Sequence, residues 1–202
     1  MWILRVLYVC LVAVFLFTGC RDHSHDYKIM GTLPSDKFNG EWIYLVPMKN
    51  PFGRVDSVKI ADATFSFTGS GEEVRVLRLR PILRLEIQEL LVVTEPGQIT
   101  IKADSIGSVT GTPQNDALQE WKEMREKKLA SYGQLRRKLK GSVGADSLAL
   151  AQQLKDLRNE ERAYNFQFLC RLGHNTLGLF MQEMLRPTLT DEQKKQLDES
   201  IQ

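Results

Sequence analysis

The sequence predicts an α+β protein: an antiparallel β-sandwich or barrel-like domain over residues 27–112, then a helical region of three to four helices over 113–202. Three observations carry this. Short runs with period-two alternation, punctuated by Gly, Pro, Asn and Asp, fill the first part. At Thr110-Gly111-Thr112-Pro113 the apolar spacing changes from two to three or four. Near the end, Thr190-Asp191-Glu192-Gln193 spells a capping box, a helix-start signal.

Ahead of the fold comes an address. Met1–Arg5 carries one charge, and Val6 to Phe17 is an uninterrupted apolar run. A membrane-spanning helix needs about 20 such residues. This shorter run, followed by Thr18-Gly19, fits the apolar region of a cleaved signal peptide and its small-residue cutting site. Phe17-Thr18-Gly19-Cys20 resembles the cleavage motif of bacterial lipoproteins, with Phe17 in place of the usual leucine. That resemblance implies a leader at 1–19, a diacylglyceryl thioether on Cys20 and a short tether at 20–26. Each buried lipid methylene is worth about 0.8 kcal/mol, so several chains on one cysteine hold firmly.

Removing residues 1–19 takes away Arg5 and no acid, leaving 26 basic side chains against 25 acidic. So even a balance gives, by itself, no reason to invoke nucleic acid or an anionic membrane surface. Of the three cysteines, Cys10 goes with the leader and Cys20 is lipidated, which leaves Cys170 alone. No CxxC is present, so the chain cannot run dithiol exchange by itself.

Each element has a local reason. Tyr27–Leu33 reads as a strand ended by Pro34-Ser35-Asp36. Trp42-Ile43-Tyr44-Leu45-Val46 is aromatic and β-branched, followed by a Pro- and Gly-containing loop over 47–53. Val55–Ile60 resumes the strand pattern, and Thr64–Thr68 alternates strictly, with Phe65 and Phe67 on one face. Val74–Arg80 breaks strict alternation at Val76-Leu77, the mark of a bulge or a two-sided strand. Leu83–Ile87 alternates again. Leu90–Thr94 and Gln98–Ala103 flank Glu95-Pro96-Gly97-Gln98, whose Pro and Gly suit a type II turn, and the pair reads as a hairpin. Alternation makes Trp42, Tyr44, Phe65 and Phe67 candidate core.

In the helical region, Leu118, Trp121, Met124, Leu129, Tyr132, Leu135 and Leu139 predict an amphipathic helix over about 115–139. Asp146 is a candidate cap for a second helix running to about Leu172, with Gly173 just past its end. Thr176–Leu185 is a shorter helix stopped by Pro187, and the capping box opens the last one. Lys122, Arg125, Lys127, Lys128, Arg136, Arg137, Lys138 and Lys140 make the first helix basic toward its C-terminus, while Glu120, Glu123 and Glu126 lie toward its start. This order suits the helix dipole and reads as a solvated face, with an acidic partner or a lipid headgroup as the alternative.

Several phrases match a known family. They are Val55-Asp56-Ser57-Val58, Thr64-Phe65-Ser66-Phe67-Thr68-Gly69, Thr94-Glu95-Pro96-Gly97-Gln98-Ile99-Thr100-Ile101 and Val109-Thr110-Gly111-Thr112-Pro113-Gln114-Asn115-Asp116-Ala117-Leu118. In order and spacing they resemble the N-terminal domain of unknown function of lipid-anchored, thioredoxin-like disulfide oxidoreductases of Gram-negative bacteria. Asn175-Thr176-Leu177-Gly178-Leu179-Phe180 is similar to the helical stretch preceding the thioredoxin domain in that family. Ala61-Asp62-Ala63 lacks the turn glycine expected before Phe65. The family's CxxC has no counterpart here, so the resemblance implies fold and location and carries over no redox residue.

No phosphate-cradling Gly loop, zinc spacing or Ser-His-Asp phrase occurs, so no catalytic, metal or cofactor residues are assigned. Asp22, His23, His25 and Asp26 are potential metal ligands by type, and their setting reads as a solvated linker. Cys170, among Phe166, Phe168, Leu169 and Leu172, reads as a buried inert thiol, and His174 as a turn residue. The expected function is that of a non-enzymatic envelope lipoprotein, bound to a membrane through Cys20 and acting as an accessory or interaction module. The resemblance adds the alternative of an N-terminal part of, or a partner to, a thioredoxin-like oxidoreductase. A ligand-binding β domain is a third reading, which requires a formed apolar pocket.

Overall fold

The computed structural model describes residues 26–50, 52–80, 84 and 86–200. Residues 1–25, and with them the expected signal peptide and Cys20, lie outside the described residues. The described chain is α+β. Eight strands form two four-stranded sheets, and helices follow from Pro113. The strands are β1 (Asp26–Thr32), β2 (Trp42–Pro47), β3 (Asp56–Lys59), β4 (Thr64–Ser70), β5 (Val74–Leu79), β6 (Leu90–Val93), β7 (Gly97–Lys102) and β8 (Ser108–Thr110). The helices are α1 (Pro113–Lys140), α2 (Gly144–Leu172), α3 (Thr176–Leu185) and α4 (Asp191–Ser200).

One sheet has the order β4-β1-β7-β8 and the other β3-β2-β5-β6. Their inner faces enclose Ile29, Phe67, Ile99 and Ile101 from the first sheet and Ile43, Leu45, Leu77 and Val92 from the second. The first sheet's other face is exposed and polar, through Lys28, Thr32, Ser66, Thr68, Gln98 and Thr100. The second sheet's other face is covered by the helices over part of β5 and β6, while Trp42, Lys59 and Arg78 stay exposed on it. Val74 and Val93 point away from the sandwich into a second core with Leu118, Trp121, Phe168, Leu169, Leu177, Met181 and Leu197. The layers therefore run sheet, sheet, helices. β5 is two-sided for this reason, and the failed alternation at Val76-Leu77 needs no bulge.

The structure corrects four expectations. Leu90–Val93 and Gly97–Lys102 are not a hairpin. β6 pairs with β5, while β7 crosses to the other sheet, where it lies parallel to β1 and antiparallel to β8. The sandwich is therefore antiparallel except at β1–β7. Leu83 and Leu85 lie outside the described residues, and Glu86 and Ile87 form a turn and bend rather than a strand. In β2 the aliphatics Ile43 and Leu45 take the core, so Trp42 is exposed beneath Lys59 and Tyr44 is half-buried. The turn from β3 to β4 closes with a bridge from Ala61 to Thr64, and its middle residues Asp62 and Ala63 sit at φ 51° and 52°. Such a turn normally carries Asn-Gly. Here Asn39 Oδ1 accepts the Ala63 N–H at 2.9 Å, and the Ala63 carbonyl accepts the Leu33 N–H at 2.8 Å.

Two cross-strand pairs lock β1 to β4. Gly31 faces Phe65, whose ring occupies the space a Cβ on Gly31 would need. Gly69 faces Tyr27, whose phenol lies over it in the same way. A glycine opposite an aromatic lets the ring lie flat on the neighbouring backbone.

Candidate functional site

The residues that join the layers form a buried polar corner. The chain leaves β6 through Thr94-Glu95-Pro96 and enters β7 at Gly97, and the carboxylate of Glu95 meets the start of α1 there. Glu95 Oε1 accepts the backbone N–H of Gln114 at 2.7 Å and that of Asn115 at 3.2 Å. These are first-turn donors that no intrahelical carbonyl can reach. The helix is thus capped from the β layer, which also places a negative charge at the positive end of its dipole. The hydroxyl oxygen of Thr112, the N-cap by position, instead accepts from Asn115 Nδ2 at 2.7 Å.

Asn115 is fully buried. Its Oδ1 accepts the Val93 N–H at 2.9 Å, and its Nδ2 donates to the Val93 carbonyl at 2.8 Å. The amide imitates the next strand along the edge of β6. Gln114 reaches three ways: Nε2 donates to Glu95 Oε2 at 3.1 Å and to Glu72 Oε1 at 2.7 Å, and Oε1 accepts the Leu177 N–H at 2.8 Å. One side chain so links the β corner to the start of α3. Asp116 Oδ1 accepts the Gly111 N–H at 2.8 Å.

A second cluster lies at the start of β1. Arg75, on the inward face of β5, is buried, and its Nη1 meets Asp56 Oδ2 at 2.8 Å and its Nη2 meets Glu73 Oε1 at 2.5 Å. Burial works against the guanidinium charge, and the hydrogen bonds and charges of Glu73 and Asp56 more than offset it, raising its pKa above the ordinary value. Burial likewise pushes the Tyr27 phenol up, against the pull of Arg75. A buried cation held by two carboxylates is an ion-pair plug, and its chemistry is complete within itself.

At the opposite end of the sheet, the Asp104 carboxylate accepts the N–H groups of Gly107 and Ile106 and pairs with Lys102. Together these hold its pKa at about 2. Lys122 of α1 donates to the carbonyls of Ile106 and Gly107 on the same loop. Its burial there lowers its pKa, with Glu126 and Asp104 pulling the other way.

The sequence-derived candidates do not converge on these clusters. Asp26 is the one member of the Asp22–Asp26 tract that is described, and it pairs with Ser70 as the first residue of β1. Cys170 is exposed, with its Sγ 3.8 Å from Ser200 Oγ, so the expectation of a buried thiol is wrong. The helical period explains it. Asn165, Phe168, Leu169 and Leu172 form the buried stripe of α2, and Cys170 lies off it. The neighbouring Arg171 is engaged by Glu120 at 2.9 Å and lies over the Phe168 ring. His174 sits in the turn before α3, which Asn175 caps through the Gly178 N–H at 2.7 Å. Among the described residues no three His, Cys, Asp or Glu side chains group as metal ligands, and no helix is long and apolar enough to cross a membrane. One hollow of about 150 Å³ lies beside Leu90, Leu118 and Trp121, and a wider one of about 590 Å³ lies on the outer face of the first sheet beside Met30 and Val58.

Sequence reasoning missed the polar corner, although its signal was present. Thr94-Glu95-Pro96-Gly97 and Thr112-Pro113-Gln114-Asn115, far apart in the chain, are the phrases that touch one another here. Fold and corner together define a β/β/α domain whose first helix is capped by the sandwich. Residues 27–118 match the model of the family described as Domain of unknown function (DUF4369). The match spans the strands from Tyr27 onward and stops just beyond the polar corner, at Leu118. No curated protein and no solved structure matches the chain.

Proposed function

We propose that this chain is a lipoprotein of the bacterial cell envelope, bound through a lipidated Cys20 to the outer membrane or the periplasmic face of the inner one, and that it serves as an accessory or interaction module without catalytic residues of its own. The observation that carries the reading is the apolar run from Val6 ending in Phe17-Thr18-Gly19-Cys20. The polar corner is consistent with it, because its buried donors and acceptors satisfy one another and leave little to offer a substrate. The test is the intact mass of the native protein extracted from membranes, with its C-terminal peptide sequenced. A diacylated or triacylated chain beginning at Cys20 supports the anchor. An unmodified chain released with the soluble envelope fraction removes it.

A second reading rests on the resemblance of these phrases to the front of lipid-anchored thioredoxin-like oxidoreductases, which implies a redox neighbour. In this reading the domain carries, or docks beside, a thioredoxin-like unit that supplies the CxxC. The same mass experiment separates the two. A longer native chain containing a CxxC, or recovery of a CxxC protein cross-linked to this one, favours the second.

A further inference from the structure

Helices α1 and α2 form an antiparallel hairpin of which only the root is packed. Trp121 stacks on Phe168 and donates its indole N–H to Asn165 Oδ1 at 3.1 Å. Beyond that point no residue from Lys122 to Tyr164 is buried. A half-buried seam of Met124, Tyr132, Leu135 and Leu139 against Leu150, Leu154 and Leu157 holds the two helices together. Lys122 already lies at the Asp104 loop, so the remainder of α1 extends about 27 Å past the sandwich at 1.5 Å per residue. Its direction is fixed by the sheet. Helix α1 starts beside Gly97, which pairs with Tyr27 at the beginning of β1, and passes the loop after Lys102, which pairs with Thr32 at the end of β1. The arm therefore points away from the end at which the chain enters the fold.

The tip of the arm is unlike the body. Cations of the body mostly meet carboxylates, as Arg75, Arg171 and Arg186 do. Arg136, Arg137, Lys138 and Lys140 have no ion-pair partner among the described residues, and Asp146 is the single acid between Leu129 and Leu154. The helix dipole accounts for cations in the last turn of α1. It does not account for the bare apolar groups beside them: Val143, at the turn between the helices, is 86% exposed, and Leu148 is 74% exposed. Unpaired cations collaring exposed aliphatic side chains are the composition of a segment that sits in a lipid headgroup layer.

We propose that the tip of this arm docks on an anionic phospholipid surface, with Val143 and Leu148 entering the headgroup layer and Arg136, Arg137, Lys138 and Lys140 pairing with lipid phosphates. The arm's direction then lets the chain touch one membrane at its start and a second surface at its tip. Docking of the tip does not depend on the anchor.

The test uses the full chain reconstituted into neutral phosphatidylcholine vesicles and mixed with protein-free, dye-loaded vesicles rich in phosphatidylglycerol. Capture of the dye-loaded vesicles is expected, and it falls by at least about tenfold, as added salt also makes it fall, when the four cations are replaced together (Arg136→Glu, Arg137→Glu, Lys138→Glu, Lys140→Glu). Val143→Asp alone weakens capture without removing those charges. Both variants change exposed positions, and unchanged circular dichroism shows that they fold. Equal capture of neutral dye-loaded vesicles, no capture by the parent chain, or capture undiminished in both variants overturns the proposal. So does equal binding to polyglutamate-coated beads, which would make the partner an acidic protein. If the chain does not float with the neutral vesicles, the anchor reading fails by itself, and flotation of the chain with the phosphatidylglycerol vesicles reads the tip directly, with the same variants deciding.

Discussion

The sandwich and the arm are adjacent in sequence and opposite in construction. In the sandwich, Ile29, Ile43, Leu45, Ile99 and Ile101 have no exposed surface. In the arm, more than three turns of each helix pass without one buried residue. Two sheets face to face can enclose side chains on every side, whereas two helices side by side cover only a seam. The arm is thus stable at its root, where Trp121 and Phe168 join the second core, and its outer part borrows order from that root and from helix propensity.

The largest blow to this contrast is expected at the root. Trp121→Ala removes the ring stacked on Phe168 and leaves Asn165 without its indole donor. It should cost about 3–5 kcal/mol in urea unfolding. Next comes the polar corner. Asn115→Leu keeps the branched outline of the side chain but leaves the Val93 N–H without an acceptor, while the Val93 carbonyl keeps only the Glu95 N–H, for about 1–3 kcal/mol by the same measurement. Gly31→Val forces the Phe65 ring off its place and should cost about 1–3 kcal/mol, while a compensating Phe65→Ala in the same chain should recover part of it.

The smaller effects sharpen the comparison. Ala63→Gly relaxes a positive φ and should stabilise by about 0.5–1 kcal/mol, visible as a higher melting temperature. Leu139→Ala near the arm's tip should cost under about 1 kcal/mol, because its surroundings are half solvent. A loss as large as that of Trp121→Ala would show that the arm is packed against something. Acid should act on the sandwich end of the arm. The Asp104 carboxyl is held at about 2 against its ordinary 3.8, so its share of stability is complete above the ordinary value and is lost as pH falls toward 2. Asp104→Asn should flatten that part of the acid unfolding curve. Amide exchange should show β1 and β7 protected far longer than residues beyond Tyr132.

How much of this was legible in the sequence depended on how local each signal was. Alternation at Thr64–Thr68 and the Thr190 capping box need only their neighbours. Both appear as expected, the box with Gln193 N–H on Thr190 Oγ1 at 3.2 Å and Thr190 N–H on Gln193 Oε1 at 3.1 Å. The Pro96-Gly97 turn was visible and its outcome was not, because turn chemistry says that the chain reverses and not which sheet it joins. Pairing β7 with β1 links Gly97 to Tyr27, beyond any window of local pattern. The polar corner was hidden for the same reason. Glu95 reads as an ordinary turn carboxylate until Gln114 and Asn115 are brought beside it. Cys170 was misplaced by counting neighbours in sequence rather than around the helix.

The position of β1 has a consequence for the order of events during synthesis. Its two neighbours, β4 and β7, both come later in the chain, so the first strand made is paired on both edges only after β7. Until Lys102 has left the ribosome, β1 has at most one side to pair with. The parallel contact then closes a long loop whose entropy is lost before the contact is gained. A chain that delays its own closure in this way stays threadable while it is being made.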